Sequence, residues 1–381
     1  MTRPDSIVRR SVSDTAFRLL LLAATLGCGH TEPFGTPASD RDLPFDPSPP
    51  VQLTLNRGPD RRPAWLADGS GILYSTQLVD TREADVCLAQ LPATGGSQRR
   101  LTCELDPNSI NLRDAQESAA PDAADRLAFV AATSNIGAGA PDAQAIALAT
   151  VGDPINRRVL HAVPYPISTG GVHQGVSQIH WLGANRLVFL GEAVTVLRPC
   201  QFCPLDTLRS GLDAVWLDVT EPSPVTMRLI AGTNLASGVS AGATQDEIYY
   251  TLNADSRVYR TRISTGEVSV VHDFGAAGFA RDVDVVANRM AVVVGGRVAF
   301  ANNPSLGPTQ WDSGGIIHVI DLQDGNDVII EPPGPGLARR PRLSPSGTAL
   351  VAEVYPLIIG DVVPPDTVVA RVGDLFTFGL P

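Results

Sequence analysis

From residue 51 onward the apolar positions of this chain alternate with polar ones in short runs bounded by Gly, Pro, Asn or Asp. That is the spacing of half-buried strands joined by tight turns. A longer repeat lies over it: a polar loop, a short apolar strand, a turn with Asp, Gly or Asn, then an alternating β-branched or aromatic strand. The clearest copy is residues 62–74 (RPAWLADGSGILY) and the last is residues 340–351; residues 118–129, 178–189, 239–250 and 282–292 align between them. With Tyr74, Phe129, Phe189, Tyr250, Val292 and Val351 as equivalents, the copies recur every 42–61 residues. A second hairpin with turn chemistry follows, as at residues 93–97, 152–154, 264–266 and 323–326. Each unit is thus four short antiparallel strands, and helical periodicity is absent after residue 30.

A single four-stranded sheet leaves both faces and two edges open, so the unit is stable only among copies of itself. The pattern predicts an all-β, six-bladed β-propeller of four-stranded antiparallel blades over residues 51–381. The run 51–55 has no partner of its own, and the chain ends in strand-like runs at 367–371 and 375–378. The N-terminal strand is therefore expected to join the last blade and close the ring.

Composition sharpens this picture. Gly (35) and Pro (31) are abundant and only 18% of the 381 residues are charged, a turn-rich profile that argues against a helical bundle. All 29 basic residues are arginine. The absence of lysine excludes a Schiff-base lysine, a P-loop lysine and a Ser–Lys dyad. A net charge of −11 disfavours nucleic acid, whose phosphates need a cationic surface.

Residues 1–27 read as a targeting segment: Arg3, Arg9, Arg10 and Arg18 precede the nine-residue apolar run 19–27, too short to span a bilayer. Leu26-Gly27-Cys28 resembles the lipobox of bacterial lipoproteins, although Thr25 replaces the usual aliphatic residue. The resemblance implies acylation of Cys28 and anchoring to a membrane the chain does not span. Gly29 lacks the aspartate associated with inner-membrane retention, which points to the outer membrane of a bacterial envelope. Residues 28–50 have no apolar periodicity and read as a Pro-rich tether.

The other four cysteines suit an exported protein. Cys87 and Cys103 are centred on Gly95 within a turn, so a hairpin sets them opposite each other, within disulfide range. Cys200 and Cys203 form Cys-Gln-Phe-Cys in a Pro-rich loop. A local disulfide is the expected reading; a zinc site would need two more ligands, and no thioredoxin-like context surrounds the pair.

The repeat resembles the TolB-like six-bladed propeller family over residues 51–381, on Pro63-Ala64-Trp65-Leu66-Ala67-Asp68-Gly69 and Pro341-Arg342-Leu343-Ser344-Pro345-Ser346-Gly347. The middle copies keep only fragments, such as Trp181 with its turn. The family's role in envelope complexes implies a binding or scaffolding module that contacts envelope proteins. The alternative is a propeller enzyme, a lyase or hydrolase acting on acidic polysaccharide, for which channel-facing His and Arg residues would be required.

Candidate chemistry is sparse. Gly238-Val239-Ser240-Ala241-Gly242 matches a nucleophile elbow, but it falls on a strand where a strand-to-helix turn is needed. His173 and His180 are the only close histidine pair, and residues 321–327 are acidic enough to suggest calcium but read as a hairpin turn. No catalytic residue, metal or cofactor is assigned. The loops entering the innermost strands carry Arg61, Arg62, Arg113, His173, Arg281, Arg339 and Arg340. Together they form an arginine-studded funnel able to hold a small anionic ligand.

Overall fold

The computed structural model describes residues 49–381 except 56–57, 59, 78–85, 105–118, 134–142, 165–175, 193–195, 198–205, 208–211, 296–299, 304–306, 311–313, 360–366 and 370–372. The chain enters through β1 (Val51–Gln52) and then builds blade 1 from β2 (Asp60–Trp65), β3 (Gly71–Gln77), β4 (Val86–Pro92) and β5 (Arg99–Glu104). Blade 2 comprises β6 (Ala119–Pro121), β7 (Arg126–Thr133), β8 (Ala143–Thr150) and β9 (Asp153–Pro164). Blade 3 is β10 (Ser177–Leu182), β11 (Arg186–Glu192), β14 (Leu212–Asp218) and β15 (Arg228–Leu229), with a hairpin of β12 (Val196–Leu197) and β13 (Asp206–Thr207) inserted. Blade 4, with no such insertion, consists of β16 (Ala236–Ala241), β17 (Glu247–Leu252), β18 (Arg257–Arg262) and β19 (Val268–Asp273).

Blade 5 is β20 (Ala280–Val286), β21 (Arg289–Val294), β24 (Ile316–Asp321) and β25 (Asp327–Ile330), interrupted by the hairpin β22 (Phe300–Asn303) and β23 (Gly307–Gln310). In blade 6, β26 (Gly336–Leu343) pairs with the long β27 (Ala349–Ile359), whose far end also holds β28 (Thr367–Val369). The strand β29 (Asp374–Gly379) follows, and β1 adds outside it with Val51 opposite Thr377 and Gln52 opposite Phe376. The N-terminal strand thus closes the ring as its last blade's outer strand, and the molecule is a six-bladed β-propeller. The uneven repeat has a physical source: blade 4 gives the short interval, and inserted hairpins lengthen blades 3 and 5.

The core is six clusters, one between each pair of neighbouring blades. Strand alternation feeds two at once. On β7, Leu127 and Phe129 pack toward blade 1 while Ala128 and Val130 pack toward blade 3. Tyr74, Phe129, Phe189, Tyr250 and Val292 all face the preceding blade. In the last copy that position belongs to Ala352; Val351, the expected equivalent, faces blade 1 instead. A one-residue slip moves a side chain to the opposite face of the sheet, and the apolar run 349–352 conceals it from a hydrophobicity pattern.

Candidate functional site

Four of the innermost strands share a bulge. In β2 the register passes from Arg61–Ser75 to Ala64–Leu73, so Arg62 and Pro63 together oppose Tyr74. Gln178-Ile179, Asp282-Val283 and Arg340-Pro341 repeat this in β10, β20 and β26. The first residue of each pair is left-handed, with φ of 56° at Arg62, 54° at Gln178, 50° at Asp282 and 48° at Arg340. Such a conformation is held only where the surroundings enforce it. Proline suits the second position because no ladder hydrogen bond is lost there, which explains the Arg-Pro pair at 62–63 and again at 340–341. Arg61, Arg62, Arg281, Arg339 and Arg340, expected in entry loops, therefore stand within the strands, at or beside the bulge.

The four left-handed residues line one cavity in the central channel, together with Val283, Pro341 and Arg342. The space is about 10 Å³, roughly room for one water-sized group. Around it the polar groups form two layers. In the first, the buried carboxylate of Glu353 accepts from the Arg62 backbone N–H (2.6 Å), the Tyr355 hydroxyl (2.6 Å) and the Arg340 guanidinium (3.2 Å). Asp282 accepts from Gln178 Nε2 (3.0 Å) and from the Arg340 backbone N–H (3.3 Å). In the second, Arg342 crosses from blade 6 to blade 3, donating to His180 Nδ1 (2.8 Å) and to Asp284 Oδ1 of blade 5 (3.1 Å).

Electrostatics follows from burial and pairing. Burial would raise the Glu353 carboxyl, but the charges of Arg340 and Arg339 overcome it and hold the group at about 2. Burial would likewise lower Arg340, yet Glu353 and Asp282 raise it above its ordinary value. Burial, then the Glu353 charge, push the Tyr355 phenol up to about 12. Burial and the charge of Arg342 drive His180 well below its usual value, so the imidazole is neutral and accepts from Arg342. Burial raises Asp284 despite Arg342.

Most of these acceptors also stitch neighbouring blades. Gln178 Oε1 receives the Val239 N–H (3.0 Å), Ser240 Oγ the Val285 N–H (2.9 Å), and Asp284 Oδ2 the Leu343 N–H (2.7 Å). Donors run the other way at the tryptophans: Trp65 Nε1 binds the Arg342 carbonyl (2.9 Å) and Trp181 Nε1 the Ala120 carbonyl (2.6 Å). The nucleophile-elbow match is thereby explained as structure. Ser240 is fully buried in a stitch, and a Cβ on Gly238 would stand 2.7 Å from the Asp282 backbone nitrogen.

Among the expected funnel residues, Arg62 and Arg340 meet at the cavity. Arg61 and Arg339 precede them on the same strands, and Arg339 lies 5.8 Å from the Tyr355 ring centroid. Arg281 lines none of the cavity and donates to the Gly295 carbonyl within its own blade (3.3 Å). Arg113, His173, Cys28, Cys200 and Cys203 lie outside the described residues. Cys87 is buried, and the β4–β5 register sets it directly opposite Cys103. The acidic 321–327 segment is a hairpin turn: Asp321 and Asp324 cap the backbone N–H groups of Gln323 and Asn326 (both 2.8 Å), with Gly325 at φ 75°. Among the described residues no helix is long and apolar enough to cross a membrane, and no His, Cys, Asp and Glu grouping could hold a metal.

Glu353, Asp284 and Arg342 went unassigned in the sequence reading. A signal existed for the first, since Glu353 is the one charge in the apolar run 349–359 and buried carboxylates are retained with partners.

No family model matches the sequence, and neither does any curated protein. Solved structures with a similar fold include a gluconolactonase from Xanthomonas campestris, 14% identical, covering 87% of this chain and 89% of that one with a TM-score of 0.47. A calcium-binding regucalcin from Agrobacterium tumefaciens is 12% identical, with coverage of 84% and 90% and a TM-score of 0.48. A chain of a nidogen/laminin complex is 12% identical, with coverage of 72% and 80% and a TM-score of 0.44. The likeness at these identities is one of fold, and no residue role is carried over from it.

Proposed function

We propose that this chain is a lipid-tethered propeller of the bacterial envelope that serves as a binding or scaffolding module for protein partners. The observation that carries the reading is the use of the channel's polar groups. Gln178, Ser240, Asp284 and Glu353 each hold a backbone N–H of the next blade, so they brace the ring. Recognition is then left to the perimeter. There the outer strands expose aliphatic side chains: Ile155 in blade 2, Leu229 in blade 3, Val268 and Val270 in blade 4, and Ile329 in blade 5. Apolar side chains on free strand edges suit contact with protein. The sequence of residues 1–29 supports the lipid anchor and outer-membrane address, and the β4–β5 register supports a Cys87–Cys103 bridge.

One observation favours the alternative, an enzyme acting on acidic polysaccharide: His180, Gln178 and Arg342 converge in the channel. A photocrosslinker placed at Val270 or at Gln178 of the acylated chain, in its native envelope, separates the two. Discrete protein adducts from Val270 alone are expected. Adducts absent at Val270, with acidic-glycan turnover that His180→Ala abolishes, would replace the scaffold with the enzyme.

A further inference from the structure

The outer strands are unequally protected against pairing with another chain. Shortness, charge, proline and bulges keep an exposed strand edge single. β1 and β15 are two residues long, and β25 has four and runs into Glu331-Pro332-Pro333. β5 carries Arg99 and Arg100, while β9 carries Pro154, Arg157, Arg158 and two shifts of register. β19 of blade 4 is six residues long, and Val268–Val271 contains neither charge nor proline. Its bulge, at Val271, lies past Val268 and Val270. The outer strands on either side, β15 and β25, are both shorter.

The register shows which backbone groups of β19 are open. The Arg262 N–H donates to the Glu267 carbonyl (3.0 Å), and two residues further Ser269 stands opposite Arg260 in the same inward orientation. Val268 and Val270 alternate with these residues, so their N–H and C=O groups point away from β18. Their side chains are 44% and 51% exposed.

We propose that blade 4 pairs edge to edge with a second copy of this chain, β19 against β19, antiparallel about a two-fold axis at Ser269. This register sets Val268 opposite Val270 of the second copy, and the converse. Both pairs then exchange backbone hydrogen bonds and bring β-branched side chains together. Moving the axis to Val270 would instead oppose the exposed Glu267 and Asp273, two like charges. The pairing rests on the perimeter being the recognition surface, and it names one partner of that surface.

Ser269→Cys in the full chain reads the register. At the axis the two Cα atoms would form a wide pair about 4.5 Å apart, within disulfide range. Mild oxidation should yield a disulfide-linked dimer above the wild-type background. Glu267→Cys, whose copies would lie about 13 Å apart along the pair, should not. Val268→Lys adds the charge that other edges use to stay single, and should weaken association at least about tenfold in sedimentation equilibrium. A monomer at every concentration, or equal dimer yields from the two cysteines, would overturn the pairing. So would a dimer that Val268→Lys leaves intact. Photocrosslinks from Val270 to other envelope proteins would then still uphold the scaffold, so the two readings fail separately.

Discussion

Blade 6 holds two carboxyl groups whose pKa values are shifted in opposite directions. Glu353 on β27 and Asp374 on β29 lie in adjacent strands, with Glu353 opposite Leu375 and Val354 opposite Asp374. Glu353 is fully buried among arginines and is held at about 2. Among the described residues, Asp374 accepts from neutral groups, Gln52 Nε2 (2.9 Å) and the Thr54 hydroxyl (3.5 Å). Burial and the charge of Asp60 raise it to about 6. The lesson is that burial alone fixes neither shift; the sign of the neighbouring charge decides whether a desolvated carboxyl titrates below or above its ordinary value.

Removing the first carboxylate should have the largest effect. Glu353→Gln leaves Arg340 buried without its ion-pair partner and should lose about 3–5 kcal/mol, read from urea unfolding at pH 7. The same residue sets an acid limit. Its folded pKa lies below its unfolded value of 4.5, so its contribution is present above pH 4.5 and fades as pH falls toward about 2. A variant already lacking that carboxylate should show a shallower decline across this window. Tyr355→Phe, which removes one donor to Glu353, should cost about 1.5–3 kcal/mol as a hydrogen bond to a charged group.

Asp374 should give the smallest change and the opposite slope. Its folded pKa lies above 3.8, so its favourable term is full below about pH 4 and fades as pH rises through about 6. Asp374→Asn should therefore be nearly neutral at pH 5 and relatively stabilising at pH 7.5, checked by comparing urea midpoints. A variant with the wild-type pH slope would place the titrating group elsewhere.

Much of the architecture was legible because the physics is local. Trp65 with its Asp68-Gly69 turn marks an inner hairpin, and the unpartnered run at residue 51 marks the closing strand. The off-by-one at Val351 was not, because Leu350, Val351 and Ala352 are all apolar and the two faces of a propeller strand are equally dry. The site was half legible. Arg62 and Arg340 announce themselves beside proline, whereas Asp284 and Arg342 acquire meaning only when blades 5, 6 and 3 meet across the axis. Arg281 looked like its neighbours in sequence, yet its own blade's Gly295 carbonyl holds it outside the cavity.

The β1–β29 pairing also sets a clock. Gln52 and Asp374 are 322 positions apart, so β1 must wait unpaired until β29 has emerged. Contacts so distant in sequence form late, after the cost of closing the intervening loop has been met by nearer ones. Truncated or stalled chains would therefore present an open-sided horseshoe, marking them as unfinished to any quality-control protease that samples loose strand edges.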